Sequence, residues 1–310
     1  MNEMGEFIPP HSLSTPVLFL VFNRPDTTQI VFDEIRKAQP AQLFVAADGP
    51  RKDHPADKEL CKKTREIIQQ VDWDCKVFTR FQDENLGCKI GVSSAIDWFF
   101  SNVEEGIILE DDCVPDQSFF PFCQELLEKY REDERVMMIS GDNLQFGLNR
   151  AQDSYYFSRY FLIWGWATWK RSWKHYDVDI KTWPEIRENG YLTNILSEKR
   201  VVKYWESIFN SVNNGSINTW DYQWVFSCWI QGGLSITPNN NLVSNIGFDE
   251  RGTHTKGDTI FSKLPLDIMK FPLIHPKYII RNIESEQYIE NVLLPNPMIE
   301  RIKKQLGNLL

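Results

Sequence analysis

Three consecutive acidic residues, Glu110, Asp111 and Asp112, follow an apolar segment that begins at Gly106. Unpaired carboxylates are costly to bury, so these three predict either a cation site or an acidic turn before a helix that starts near Asp116. Carboxylate oxygens suit a hard cation such as Mg²⁺ or Mn²⁺, which keeps positions open for phosphate oxygens. If the strand geometry continues, Glu110 and Asp112 share one side and Asp111 lies on the other.

Three further polar residues stand at or just after the ends of other apolar segments. They are Arg24 in FNRP, Asp48 in AADGP and Lys89 in ENLGCK. Arg24 can meet a phosphate with its planar guanidinium, and Asp48 can accept a hydrogen bond from a base or ribose. Taken singly, Arg24 is as well explained by a surface ion pair, Asp48 by a turn and Lys89 by a solvated helix start. Together at successive strand ends, they predict a nucleotide site.

The elements that must position these residues alternate regularly through the first half of the chain. Strands are predicted at residues 17–22, 43–47, 76–81, 106–109 and 136–140, and helices from 26 or 27 to 38, then at 56–70, 91–100 and 116–130. This order predicts an α/β fold, a Rossmann-like and mostly parallel sheet with helices on both faces. Ligands of such sheets bind at the carboxyl ends of the strands.

After about residue 150 the alternation fades, and most tryptophans lie between residues 164 and 229. Most of these aromatic rings are expected in the core, although some can line a sugar site. We expect one domain at 1–283, with a nucleotide half at about 15–150 and an acceptor half at about 151–283. A tail at 284–310 carries a short mixed-charge helix at 299–310. Packing on the domain, oligomerisation and contact with a membrane surface are its alternatives.

Composition excludes several classes of protein. The chain has 310 residues, with 34 Lys and Arg against 43 Asp and Glu, and its net charge of −9 argues against a nucleic-acid binder. Six scattered cysteines without a CxxC pair indicate reduced thiols. The apolar run at 17–22 is far shorter than the roughly 20 residues of a membrane span, and no signal peptide is recognisable. A cytoplasmic protein is expected, with possible peripheral contact to the inner face of a membrane.

The order of short motifs resembles that of the GT-A glycosyltransferases. The motifs are FNRP, AADGP, ENLGCK, LEDDCVPDQSFF, SGDN, GWATWKRSW and TWDYQW, and they lie within about residues 15–255. The chain is most similar to the inverting N-acetylglucosaminyltransferases that act on mannosides, and to their bacterial relatives. The resemblance implies transfer of a sugar from a nucleotide-diphosphate sugar, UDP-linked, to a hydroxyl of a glycan or glycolipid acceptor. It also implies assistance by Mn²⁺ or Mg²⁺.

The resemblance also assigns roles to residues. Asp112 would bind the metal directly, and Glu110 and Asp111 would face the donor sugar and ribose. Arg24 and Asp48 would face the base and phosphates. In TWDYQW, Asp221 would be the catalytic base and Trp220 a wall of the sugar pocket. The family's base-contacting residue has no clear match around Lys89.

The chemistry of inverting transfer requires such a base and such a cation. One carboxylate takes the acceptor proton, and the cation absorbs charge on the leaving diphosphate. From the sequence alone, Asp221 is nearly as well explained as a helix-start acid after Thr219. The polar loops at 244–248 and 252–255 can form a lid, in which His254 can contact a metal or phosphate.

Three other functions compete. A sugar-1-phosphate nucleotidyltransferase should carry a glycine-rich basic loop after its first strand, where this chain reads NRPDTT. A phosphohydrolase needs an aspartate nucleophile there, where this chain has Asn23. A non-catalytic carbohydrate-binding protein would use the tryptophans as a sugar platform, without dependence on a metal or nucleotide.

Overall fold

A central eight-stranded sheet organises the computed structural model, which describes residues 7–248 and 264–294. Its strand order is β3-β2-β1-β4-β8-β6-β9-β7. The strands are β1 (Val17–Val21), β2 (Gln42–Ala47), β3 (Lys76–Phe81), β4 (Glu105–Glu110), β6 (Val136–Ser140), β7 (Tyr155–Ser158), β8 (Trp166–Trp169) and β9 (Leu234–Pro238). A separate two-stranded ribbon pairs β5 (Cys113–Pro115) with β10 (Val243–Asn245).

Alternating side chains of β1 enter two hydrophobic cores, one on each face of the sheet. Phe19 belongs to the core that includes Phe32 of the first helix, whereas Leu18 belongs to the core that includes Phe99 of the third helix. Both cores are sealed by helices, so β1 is apolar at every position and fully buried. The predicted α/β class, with a mostly parallel sheet covered on both faces, is confirmed.

The first half follows the predicted alternation. The helices are α1 (Pro25–Ala38), α2 (Asp57–Glu66) with a 3₁₀ turn (Ile67–Gln70), α3 (Gly87–Asn102) and α4 (Phe119–Lys129). β1 pairs in parallel with β2 on one side and with β4 on the other. The chain therefore reverses its direction of travel across the sheet between β1 and β4. Such a switch point leaves a crevice at the carboxyl ends of the two strands, where ligands of α/β sheets bind.

Three expected helix starts differ from the structure. Pro25 opens α1 without a side-chain cap, because its fixed φ suits the first turn, so Asp26 and Thr27 lie inside the helix. α3 begins at Gly87 rather than at 91, since Gly87 adopts φ +75° and turns the chain into the helix. α4 begins at Phe119 rather than at 116.

The second half adds antiparallel strands and short helices. β8 and β7 run antiparallel to their neighbours, whereas β6 and β9 pair in parallel. The helices are α5 (Lys170–Trp173), α6 (Trp183–Glu188), α7 (Leu192–Ile195), α8 (Lys199–Asn213), α9 (Asp221–Ile230) and α10 (Ile283–Leu293). Eight of the eleven tryptophans are buried to 6% exposure or less, which confirms that most of them are core residues.

Helix α10 is fastened to the sheet edge by buried charges. Arg159, directly after β7, pairs with Glu290, and its backbone N–H donates to Glu286 (2.7 Å). Arg281 makes a further bidentate pair with Glu286. The described part of the tail is therefore packed on the domain. The helix expected at 299–310 lies outside the described residues, and none of the described helices is long and apolar enough to cross a membrane.

Candidate functional site

Arg24 and two of the acidic residues meet at the switch point of the sheet. Arg24 follows β1, the acids end β4, and these strands are neighbours. Nη2 of Arg24 bonds to Asp111 and lies 2.9 Å from Oδ2 of Asp112. Because Asp111 and Asp112 form a turn after Glu110, both carboxylates reach the same guanidinium. The expectation that strand alternation continues through the acids, with Asp111 on the opposite side from Asp112, is therefore wrong.

Burial and mutual repulsion perturb the ionisation of this cluster. Burial raises the pKa of Glu110, and the nearby Asp112 and Asp111 raise it further. Burial also raises the pKa of Asp111, although Arg24 opposes that shift. Burial would lower the pKa of Arg24, but the attraction of both carboxylates outweighs it and raises that pKa. The cluster holds one permanent cation among three acids, which leaves capacity for added positive charge.

The ribbon of β5 and β10 brings the segment after Val243 against Asp112. The backbone N–H of Ile246 donates to the Asp112 carbonyl oxygen (2.8 Å), and the Asn245 amide lies 3.4 Å from Oδ1 of Asp112. A Cβ at Gly247 would overlap Oδ2 of Asp112 and come 2.8 Å from its Cγ. Only glycine allows the backbone to lie this close. The described part of the predicted lid thus contacts Asp112, its closure over a ligand remains a prediction, and the part from residue 249 onward lies outside the described residues.

Asp48 caps helix α3 from the end of β2. Its carboxylate accepts hydrogen bonds from the backbone N–H groups of Gly49, Leu86 and Gly87 at 2.8, 2.8 and 3.1 Å, and from the Asn85 amide at 2.9 Å. Burial raises the pKa of Asp48, and these donors oppose the shift. Four donors fill the acceptor positions of one carboxylate. The geometry therefore supports the turn-forming role of Asp48 over direct hydrogen bonding to a base or ribose.

A polar network that the sequence analysis missed lies beside the switch point. Asp57, at the start of α2, is buried and accepts two hydrogen bonds from the Arg51 side chain (2.6 and 3.0 Å) and one from the Asn23 amide (2.8 Å). The hydrogen bonds from Arg51 lower the pKa of Asp57 to about 2. The Arg51 guanidinium also lies 5.4 Å from the centroid of the Phe22 ring. The signal in the sequence that could have indicated this network is Asp57, which stands six residues after the arginine of the DGPR segment.

Asp221 is the first residue of α9 and bonds to the Thr219 hydroxyl, as a helix-start acid would. The negative charge of Asp221 also contributes to the raised pKa of Glu110 and of the Cys88 thiol. Trp220 is buried and stacks on Trp166, with ring centroids 5.6 Å apart. This position makes Trp220 part of the core beneath the site.

Lys89 lies in the first turn of α3 and pairs with Asp179 rather than with the acidic cluster. Its ammonium is 3.1 Å from Asp179, and its backbone N–H donates to the Asn218 side chain (3.3 Å). These contacts tie α3 to the segment before α9. His254, which was proposed together with Asp112 as a metal contact, lies outside the described residues.

A cavity of about 830 Å³ lies over the carboxyl ends of β1, β2, β3 and β4. Of the predicted site residues, Arg24, Asp48, Glu110 and Asp111 line it. Other lining residues come from the loop before α2, from β3 and the segment after it, and from α3, namely Arg51, Asp53, His54, Arg80, Gln82, Asn85, Cys88, Gly91, Val92 and Ala95. The size suits a ligand larger than a single sugar ring.

The donor set fits a divalent cation only if the substrate supplies most of its ligands. Among the described residues, no group of three or more His, Cys, Asp or Glu is arranged to hold a metal ion. Asp112 keeps Oδ1 with only long contacts, 3.4 Å to the Asn245 amide and 3.5 Å to the Cys113 thiol. Mg²⁺ is commonly held by one or two carboxylates plus substrate phosphates, which this arrangement permits.

Comparisons with known proteins give weak similarities. No protein-family model matches the chain, and no curated protein matches it. A mannosyltransferase from Pyrobaculum calidifontis, in complex with GDP-Man and Mn²⁺, is similar at 13% identity and a TM-score of 0.32 over 52% of this chain. The match spans 45% of that mannosyltransferase, less than half its length.

Two other solved structures are similar over more of the chain. Apo UDP-glucose pyrophosphorylase matches at 9% identity with a TM-score of 0.36, covering 73% of this chain and 90% of that one. Mouse xyloside xylosyltransferase 1 in its apo form matches at 11% identity with a TM-score of 0.33, covering 69% and 80%. Scores and identities this low assign no activity to the present chain.

Proposed function

We propose that this protein is a nucleotide-sugar-dependent glycosyltransferase of the inverting, GT-A type. The observation that carries the proposal is the pairing of Arg24 with Asp111 and Asp112 at the β1–β4 switch point, beside an open cavity of about 830 Å³. Ligands of α/β sheets bind at this position. Its mixture of acids and a cation suits a sugar on one side and a diphosphate on the other.

In the proposed reaction, an acceptor hydroxyl attacks the anomeric carbon while the bond from that carbon to the diphosphate oxygen breaks. The hydroxyl proton passes to the carboxylate of Asp221, the first residue of α9. Arg24 orients Asp111 and Asp112 and donates toward the departing diphosphate. Asp112 would hold Mn²⁺ or Mg²⁺, which neutralises charge on the diphosphate when bound.

Two observations favour transfer over the alternatives. β1 leads through Asn23 and Arg24 directly into α1 at Pro25, which leaves no length for the glycine-rich loop of a nucleotidyltransferase. The tryptophans near the site, including Trp166, Trp220 and Trp224, are buried in the core. Those three rings are therefore unavailable as the exposed platform of a sugar-binding module. The donor is proposed to be a UDP-linked sugar and the acceptor a glycan or glycolipid.

The test measures release of nucleoside diphosphate from a panel of nucleotide sugars and acceptors, with and without Mn²⁺. Asp221→Asn should lower turnover by roughly 10²- to 10⁴-fold, the usual contribution of a general base, and leave donor affinity nearly unchanged. Asp112→Asn should weaken both turnover and Mn²⁺-dependent donor binding. Asp72→Asn, which removes an exposed carboxylate paired with Arg36, serves as the control.

The outcomes distinguish the parts of the proposal. Near wild-type turnover in Asp221→Asn would place the base elsewhere. Loss of folding together with donor binding in that variant would make Asp221 a structural helix-start acid. If the wild-type protein binds no nucleotide sugar with or without metal, the proposed function is wrong.

A further inference from the structure

Arg80 differs from the other two arginines of the cavity wall because it has no acidic partner among the residues that the structure describes. Arg24 and Arg51 are each held by carboxylates, as described above. The Arg80 guanidinium donates from Nη1 to the Ser94 hydroxyl (3.1 Å). Within the described ranges, no carboxylate oxygen lies within 4.0 Å of its nitrogens. A guanidinium carries five N–H donors. Arg80 therefore brings unused donors and an uncompensated charge to the cavity wall.

Gln82 stands beside Arg80 on the same face of the chain. The ladder of β3 continues one residue past the strand, since the backbone N–H of Gln82 donates to the Ala47 carbonyl oxygen (2.9 Å). Residues two apart on an extended chain point to the same side. Both side chains line the cavity. The wall thus offers a guanidinium, which only donates, next to an amide, which both donates and accepts.

The two side chains lie at the far end of the cavity from the acidic cluster. β3 and β4 are separated by β2 and β1, which is three strand spacings or about 14 Å. Ala46, Val92 and Ala95 line the cavity as well and give this region small apolar walls. A long ligand whose charged end lies at the acids would place its other end here. Small apolar walls with a few polar groups suit a flat heterocycle.

We propose that Arg80 and Gln82 recognise the base of the nucleotide and select uracil or guanine over adenine and cytosine. This inference rests on the proposed function, since it takes the cavity to bind a nucleotide. Uracil and guanine both present a carbonyl oxygen beside a ring N–H. Arg80 donates to the carbonyl, and the Gln82 amide oxygen accepts from the ring N–H. Adenine and cytosine have an amino group in place of that carbonyl oxygen and an unprotonated nitrogen in place of that ring N–H. In the same pose the Arg80 donors would face a donor.

The experiment titrates the full chain with UDP, GDP, CDP, ADP, the nucleosides uridine and guanosine, and inorganic pyrophosphate, by calorimetry. The wild-type protein should bind UDP or GDP at least about 10-fold more tightly than ADP and CDP. A hydrogen bond to a charged group contributes about 1.5–3 kcal/mol, so Arg80→Gln should weaken the preferred nucleotide by about 10- to 100-fold. The matching nucleoside should lose the same factor, while ADP and pyrophosphate change little.

Two further variants complete the test. Gln82→Met removes the acceptor and should reduce the preference for UDP or GDP over ADP, while Arg80→Lys should restore only part of the affinity because it lacks the planar fork. Arg36→Gln, at an exposed ion pair on α1, is the matched control and should bind like the wild type. Thermal unfolding of each variant separates lost binding from lost folding.

Two results would overturn the base assignment while leaving the proposed function intact. One is equal wild-type affinity for UDP, GDP, CDP and ADP. The other is an Arg80→Gln loss that persists with pyrophosphate and disappears with uridine and guanosine, which would make Arg80 a phosphate ligand. Failure of the wild-type protein to bind any nucleotide would instead overturn the proposed function and this inference together.

Discussion

The guanidinium of Arg24 joins the ends of two neighbouring strands, because it contacts Asp112 at 2.9 Å although 88 residues separate them in the chain. Asp111 shares the same guanidinium. This arrangement makes Arg24 both a structural clasp of the switch point and the nearest permanent cation to any ligand bound there. Removing it leaves two partly buried carboxylates without a counter-charge, which is more costly than the loss of a surface ion pair.

The first prediction follows from that imbalance. Arg24→Gln should lower the free energy of unfolding by about 2–4 kcal/mol, somewhat less than the roughly 3–5 kcal/mol for a fully buried pair, because the Arg24 side chain is 17% exposed. Urea unfolding at neutral pH measures the change. Arg36→Gln, which breaks an exposed pair with Asp72, should lower the free energy of unfolding far less, because solvent screens that pair. Equal losses in the two variants would show that Arg24 has no special role at the switch point.

The second prediction concerns the close approach of Gly247 to Asp112. Gly247→Ala adds a Cβ that overlaps the Asp112 carboxylate, so the segment after β10 must move outward. We expect at least a 10-fold loss of nucleotide affinity with a small change in thermal stability. Gly215→Ala is the control, because a Cβ added there meets nothing within 4 Å. Since Gly215 has φ +78°, its substitution strains the backbone, and the stability lost in this variant serves as the reference. Unchanged nucleotide affinity in Gly247→Ala would show that the segment does not cover the ligand.

The third prediction is a pH dependence of stability from Asp57. Its hydrogen bonds with Arg51 lower its pKa to about 2, against about 3.9 in an unfolded chain. A lowered pKa stabilises the folded state above the unfolded value, and this stabilisation disappears as the pH falls toward 2. Because Arg51 is 43% exposed, the contribution at neutral pH is about 1–2 kcal/mol.

Asp57→Asn should therefore be less stable than the wild type at pH 7, and about half of that difference should be lost by pH 3. Urea midpoints at pH 7, 5 and 3 measure it. A difference that stays constant across this range would mean that Asp57 acts through packing alone.

The fourth prediction has the opposite sign and concerns Asp142 of the SGDN motif. Burial raises the pKa of Asp142 to about 8, and its Oδ1 has no hydrogen-bond partner among the described residues. A carboxyl with a raised pKa destabilises the folded state increasingly as the pH rises from about 4 to 8. The free energy of unfolding of Asp142→Asn, relative to that of the wild type, should therefore increase by about 1–3 kcal/mol from pH 5 to pH 7.5. The exposed Asp83→Asn should show no such trend.

The outcome for Asp142 is decided by comparing unfolding free energies at the two pH values. If the gain is the same at both pH values, the carboxyl is already ionised in the folded protein. That result would remove its assigned contribution to the pH profile.

The sequence predicted the parallel half of the fold because its strands are continuous apolar runs separated by polar helices. β1 and β2 appear close to their expected limits for this reason. The antiparallel strand β8 was not predicted, since WATW lies among other aromatic segments. Its pattern fits a buried helix, strand or loop equally well. The pairing of β8 between β4 and β6 depends on tertiary contacts that no local pattern encodes.

At the site, residue types were easier to predict than contacts. Placing Arg24 and the three acids at one edge required only the positions of strand ends. The ion pairs of Asp111 and Asp112 with the same guanidinium depend on a turn, in which side chains do not alternate as they do in a strand. The sequence offered a turn at Asp48, but its capping of α3 could not be foreseen, because three of its four donors come from residues 37 to 39 positions later in the chain.

The buried charges that attach α10 set a minimum length for any folded fragment. Arg159 lies in the core beside β7, and its carboxylate partners, Glu286 and Glu290, both belong to α10. A fragment that ends before Ile283 would retain a guanidinium in an apolar environment without compensation, at a cost of several kcal/mol. A recombinant version of this folded domain must therefore extend through Leu293, even though the cavity over β1–β4 lies toward the other edge of the sheet.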